Sequence, residues 1–211
     1  MNATTADPSA HRPAPHAVRP VHAGDLPVVE RTFGRAFHDD PVWRWVIADD
    51  GRFEARAGRA LGAVTRMLLG HGHVWMSRSG QAVATWAPPG AHRLTARQLL
   101  PVAHRLLPAV GWSGLRRMGA LEEVDRHHPK EPHWYLAVLG TDPSHQGRGY
   151  GSAVMDPVLA LADEEGVGCY LESSKESNVA FYARHGFTVT ERLDLARGTG
   201  PSLWLMWRDP R

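Results

Sequence analysis

Apolar residues recur at helical spacing through the first third of the chain. Val28, Val29, Phe33, Ala36 and Phe37 fall near one face of a helix expected to run from a cap at Asp25 to about Phe37. Pro41 starts a shorter helix carrying Trp43, Trp45 and Val46. Phe53, Ala57, Ala60, Leu61, Val64 and Leu68 mark another over residues 52–70. The period then shortens. His73–Ser77 and Ala82–Ala87 read as two strands of a hairpin turning at Ser79-Gly80, and Pro88-Pro89-Gly90 stops the second. A short strand through Val18 and Val21 precedes the first helix, and residues 95–126 read as two helices broken around Pro108 and Gly111.

The C-terminal half has a clearer order: strand 133–141, helix 147–165, strand 169–174, short helix 178–184, then strands near 187–194 and 202–208. Tyr150, Val154, Val158 and Ala162 form a stripe that would hold the long helix against a sheet. Pro157 removes the bond to the Ala153 carbonyl, so a kink is expected there. Strand-helix-strand argues for an α/β fold with a mixed, twisted sheet, its first two C-terminal strands parallel and its last pair antiparallel. Residues 1–16 hold Pro8, Pro13 and Pro15 with almost nothing to bury and read as a disordered tail. Residues 17–211 are expected to form one domain.

Composition changes this picture little. Hydrophobic content is 43% and charged content 22%, near globular averages. Net charge is +2 without long runs of one sign, which gives little support to nucleic-acid binding. Cys169 is the only cysteine, so neither an internal disulfide nor a cysteine metal cluster can form. No apolar run reaches the roughly 18 residues of a membrane span, and no export signal is recognisable, so a cytoplasmic protein is expected. The 13 histidines include His127-His128 but show no H-E-x-x-H spacing. They read as scattered surface residues, and no metal is expected.

The informative chemistry lies in Gln146-Gly147-Arg148-Gly149-Tyr150-Gly151, where a turn after the 133–141 strand becomes a helix. Glycines at alternate positions bare the backbone N–H groups, and a helix N-terminus adds roughly half a positive charge. Together they make a cradle for a pyrophosphate. The dinucleotide fingerprint would need a glycine at Val154, and the Walker loop would need Gly-Lys-Ser/Thr; neither is present. A turn that is glycine-rich for structural reasons alone is the competing reading.

Gln-x-x-Gly-x-Gly after a strand resembles the acyl-CoA loop of the GCN5-related N-acetyltransferase (GNAT) superfamily. Asn178-Val179-Ala180-Phe181-Tyr182-Ala183-Arg184-His185-Gly186-Phe187 resembles that superfamily's second signature. Within it, Pro129 to Pro132 through Phe187 to Thr190, with Val74-Trp75 and Ala82 to Trp86, is similar to the puromycin-acetylating members. The resemblance implies acetyl-CoA as cosubstrate. It also implies a small-molecule amine as acceptor, such as an aminonucleoside, and hence a role in antibiotic resistance. Other small amines, a protein amine, or a non-catalytic acyl-CoA sensor stay open, as does monomer or homodimer.

By the same resemblance, the main chain of Leu139, Gly140 and Thr141 would pair with pantetheine. Gln146, Gly147, Arg148, Gly149, Tyr150, Gly151 and Ser152 would surround the pyrophosphate. Tyr182 would protonate the leaving thiolate, although an ordinary core tyrosine fits the same position. Asn178 either bonds the pantetheine arm or starts its helix. Glu172, a carboxylate in an apolar strand, suits a general base, a binder of the substrate amine, or a structural ion pair. Asp40 before Pro41 reads as a helix cap. Asp39 is a candidate for reaching the acceptor amine. Trp43, Trp86 and Trp134 would line an aromatic pocket or pack in the core. The helices within 95–126 would form a substrate-side insertion.

Overall fold

The computed structural model describes residues 16–47, 51–92, 100–119 and 122–211. The expected tail therefore lies outside the described residues apart from His16, as do residues 95–99 and 120–121 of the helical insertion.

Seven strands form one sheet: β1 Val18–Pro20, β2 Val74–Ser77, β3 Ala82–Ala87, β4 His133–Thr141, β5 Gly168–Ser173, β6 Thr188–Asp194 and β7 Ser202–Arg208. Their spatial order is β1-β2-β3-β4-β5-β7-β6. Only β4 and β5 run parallel. Parallel neighbours need a long crossover, and the helix between them supplies it. Among the described residues, the α-helices of six or more residues are α1 Leu26–Ala36, α2 Pro41–Val46, α3 Phe53–Leu68, α4 Ala103–Met118, α5 Glu122–His127, α6 Tyr150–Glu165 and α7 Val179–Arg184.

The two sheet faces carry different cores. On one, α6 sets Val154, Met155, Val158 and Ala162 against Ala82, Ala84, Trp86, Trp134 and Leu171, with Tyr182 and Phe187 beside them. On the other, Val29 and Phe33 of α1 and Leu61 of α3 meet Met76, Val83 and Val138. α1 and α3 approach backbone to backbone. A Cβ on Gly34 would lie 2.3 Å from the Glu54 carbonyl oxygen, and one on Gly58 would lie 2.1 Å from that of Glu30. Gly140 serves the same purpose for α1 on β4, since a Cβ there would fall 2.7 Å from the Phe33 ring.

Several expectations shift. Asp25 does precede α1, but its carboxylate makes no cap bond to that helix. It accepts instead from Arg19 at 2.7 and 2.8 Å and from the His22 amide at 2.9 Å. A charged guanidinium outcompetes a backbone amide for the same oxygens. α6 begins at Tyr150 rather than 147 because Gly147 and Gly149 take left-handed φ of 71° and 86°. It runs unbroken through Pro157. The break in α4 is at Gly111, with φ 69° and ψ 179°, and not at Pro108.

Candidate functional site

β4 gives the site its shape. It pairs with β5 only at His133, Trp134 and Tyr135, opposite Gly168, Cys169 and Tyr170. On its other edge it stays bonded to β3 as far as Thr141. Between these stretches lies a bulge. Thr85 sits opposite Val138 while Trp86 sits opposite Leu136, so Ala137 is an extra residue. A bulge bends its strand and resets the alternation of faces. Trp134 and Leu136 accordingly join the α6 core while Val138 joins the α1 core. Beyond the bulge the two central strands part, and the main chain of Leu139, Gly140 and Thr141 faces the gap on its β5 side.

The glycine turn closes one end of that gap. Asp142 caps it by accepting from the Ser144 amide at 2.9 Å, and Arg35 of α1 holds the carboxylate at 2.6 Å. These bonds to the ionised form keep the Asp142 carboxyl well below the usual carboxylate range despite its desolvation. Gln146 donates its amide hydrogen to the Thr141 carbonyl at 3.2 Å, so its side chain ties the turn to the strand it leaves. Arg148 is exposed, Ser152 lies in the first turn of α6, and the Tyr150 ring lies 4.1 Å from that of His16, tilted by 45°. A Cβ on Gly151 would press to 3.3 Å from both Phe181 and the Thr141 hydroxyl. Unpaired strand edge, bare turn amides and helix N-terminus lie in sequence along one track. They fit a pantetheine diphosphate.

Tyr182 lies on the α6 side of β5, 8% exposed. Burial, then the Asp40 charge, pushes its hydroxyl far above the ordinary phenol value. Its hydroxyl has no protein hydrogen-bond partner among the described residues. Asn178 is exposed and makes no side-chain cap bond, while Gly186 leaves α7 at φ 93°.

Asp40 caps α2 by accepting from the Val42 and Trp43 amides at 3.0 and 2.9 Å. It also accepts from the Ser174 hydroxyl just past β5. Burial pushes its carboxyl up, and these bonds partly offset that. One residue earlier, Asp39 pairs with Lys175 at 2.5 Å. Two adjacent carboxylates thus pin the α1–α2 corner to the end of β5. The sequence marks Asp40 only as a cap. Its placement beside Tyr182 had no local signature.

Glu172 points to the opposite face of β5 from Tyr182, with its side chain 10% exposed. It accepts from the Tyr135 hydroxyl at 2.8 Å, and His128 Nδ1 lies 3.5 Å from its other oxygen. Burial and the Glu172 charge push Tyr135 well above the ordinary phenol value, so it stays a donor. Trp86 and Trp134 are sealed against α6, at 0% and 2% exposure, and do not line a pocket. Trp134 donates to Glu165 at 2.8 Å. Trp43 is half-buried between the α1 and α2 cores. The expectation of scattered surface histidines is also corrected: His92, His128 and His133 come together and are at least partly buried.

This architecture, a seven-stranded and mostly antiparallel sheet flanked by helices, is that of GNAT acetyltransferase structures. The model of the Acetyltransferase (GNAT) family matches residues 108–187, less than half of the chain. An uncharacterized N-acetyltransferase of Schizosaccharomyces pombe is 34% identical over 91 residues, 43% of this chain and 35% of that protein. The chain thus spans about a third of that relative's length. A structure described as histone acetyltransferase HPA2 and related acetyltransferase, from Corynebacterium glutamicum, superposes with TM-score 0.60 at 24% identity. It covers 93% of this chain and 97% of its own. Arylalkylamine N-acetyltransferase 2 of Aedes aegypti superposes with TM-score 0.67 at 13% identity, covering 93% and 99%. Residues 108–187 are thus similar to the GNAT acetyltransferase family, and the fold is the one that GNAT acetyltransferase structures share.

Proposed function

We propose that the protein transfers an acetyl group from acetyl-CoA directly to a primary amine of a small molecule. The parting of β4 and β5 into a bare glycine turn, with Tyr182 beside the gap, carries this reading. When bound, acetyl-CoA supplies a thioester carbonyl as the electrophile. The backbone of Leu139, Gly140 and Thr141 orients its amide-bearing arm. The amides of residues 147 to 151 receive its diphosphate at the α6 N-terminus. Asn178, uncommitted to its helix, reaches the same arm.

The amine nitrogen bonds to the carbonyl carbon, the carbon–sulfur bond breaks, and the sulfur takes a proton. Tyr182 holds that proton through the neutral range and donates it as a hydrogen bond while charge builds on sulfur. A raised phenol is a weaker acid, but the same dry surroundings raise the thiolate's demand for a proton. Glu172 lies on the far face of β5 and serves as the base for the amine, or as its electrostatic anchor. Asp39 and Trp43, with the α4 segment, belong to the acceptor side. Burial pushes the Cys169 thiol up to about 12, so it offers no thiolate for a covalent acyl intermediate.

An aminonucleoside acceptor such as puromycin rests on the sequence resemblance alone, and a resistance role rests on that acceptor. The arylalkylamine-acetylating neighbour makes arylalkylamines a second class to try. Free-thiol release from acetyl-CoA, measured with puromycin, an arylalkylamine, a polyamine and a lysine peptide, tests the reading. Turnover with one of the small amines and not the peptide is expected. Absence of turnover with all four, together with no calorimetric binding of acetyl-CoA, would sink it.

A further inference from the structure

Three histidines unused by this chemistry converge from separate elements. His92 follows β3, His128 follows α5, and His133 opens β4, and their candidate ligand nitrogens lie within 4.8 Å of one another. The position of the ring hydrogens follows from the neighbours. His133 Nδ1 is 2.6 Å from the Glu131 carbonyl oxygen, which can only accept, so that nitrogen carries hydrogen. His128 Nδ1 faces the Glu172 carboxylate at 3.5 Å, which favours hydrogen there too. Both rings therefore turn the Nε2 lone pair toward the other, and these two nitrogens are 2.9 Å apart. Two lone pairs at that distance repel unless something positive lies between or beside them.

A shared proton or a metal ion would serve. A proton needs two partners, and the cluster supplies a third. His92 stacks 4.1 Å from His128 and 5.4 Å from His133, centroid to centroid. Three imidazoles, one braced by a hydrogen bond to a backbone carbonyl and a second facing a carboxylate 3.5 Å away, resemble a zinc-type donor set with the start of an outer shell.

We propose that His92, His128 and His133 bind one divalent ion of the zinc class through a ring nitrogen each, leaving one position for water. Tetrahedral geometry sets the ligand nitrogens about 3.4 Å apart. The close pair opens by about half an ångström to reach that spacing, and His92 swings inward, movements within the reach of side-chain rotation. A cavity of about 400 Å³ is lined by His127, Glu131, Tyr170 and Trp207, and the Tyr170 and Trp207 rings that separate it from the cluster lie 5.6 and 5.9 Å from that of His133. The ion would tie the chain after β3 to the start of β4 and hold His128 against Glu172. The site does not depend on the acetyl-transfer reading.

The test uses the full chain without an affinity tag, stripped with a chelator and titrated with Zn²⁺ against a chromophoric competitor. One ion per chain with sub-micromolar affinity is expected, and Co²⁺ in its place should give the strong visible bands of a four-coordinate site. His92→Gln should weaken Zn²⁺ binding at least 100-fold, while His104→Ala, at an exposed histidine, should leave it unchanged. Circular dichroism checks that each variant is folded. Should His133→Ala fail to fold, His92→Gln and the wild-type cobalt spectrum still decide. Sub-stoichiometric binding, or equal affinity in wild type and His92→Gln, overturns the site. So does an imidazole ¹⁵N spectrum showing a proton-bridged pair that Zn²⁺ does not disturb.

Discussion

Tyr182 and Gly147 make opposite demands on substitution. Tyr182→Phe removes one oxygen from a buried, unbonded position, so folding should change little. Turnover should fall about 100-fold, the low end of what a positioned acid contributes. Calorimetric affinity for acetyl-CoA should stay within about threefold. A variant that keeps full rate would remove the residue from the reaction. Gly147 lies at φ 71° with open space around its missing Cβ, so Gly147→Ala suffers only the left-handed backbone. That costs about 1–2 kcal/mol per residue. If the turn relaxes to escape it, acetyl-CoA affinity drops about tenfold while thermal stability stays close to wild type. Affinity unchanged in the variant would mean that the turn does not shape the diphosphate site.

Arg208 of β7 is 4% exposed and grips Asp163 of α6 through two bonds of 2.8 and 2.7 Å, locking the long helix to the far side of the sheet. Arg208→Met leaves the partly exposed carboxylate only the Arg211 amide at 2.8 Å and should lower stability by about 2 kcal/mol at neutral pH in denaturant melts. The bonds to Arg208 hold the Asp163 carboxyl below its ordinary value. A depressed carboxyl stabilises the fold above its unfolded pKa, near 4, and loses that contribution as pH falls through the folded value. The gap between wild type and Arg208→Met should therefore shrink below about pH 4. A gap constant down to pH 2 would assign the loss to packing instead.

Elements bounded by punctuation were legible. Pro132 and Asp142-Pro143 frame β4, which the sequence placed to the residue, and Pro41 marked α2. Relations across elements were not. The bulge at Ala137 shows only as a lapse in alternation, which a short apolar run hides. Nothing near Asp40 announces Ser174, 134 residues away. The histidines at 92, 128 and 133 match no short motif because three elements supply them. Tryptophan identity could not distinguish pocket from core, because which face of β3 or β4 meets α6 is a property of packing.

At the scale of the molecule, the site is a seam where a sheet fails to stay closed, and a ligand that fills the seam should brace both halves. Acetyl-CoA at 100 times its dissociation constant should add about 2.7 kcal/mol of stability, read as a rise in melting temperature. Coenzyme A should give a similar rise, since the proposed contacts lie along the arm and diphosphate it shares with acetyl-CoA. No shift with either at saturating concentration would mean that the parted strands hold something else.

The strand order also bears on how the chain is made. β7 lies between β5 and β6, although the ribosome releases it after both. Until it arrives, β5 and β6 each present a bare edge to the crowded cell, open to pairing with another nascent copy. Removing residues 202–211 should consequently give inclusion bodies rather than a soluble chain of lower stability, and co-expressed holdase chaperones should be found on the shortened chain.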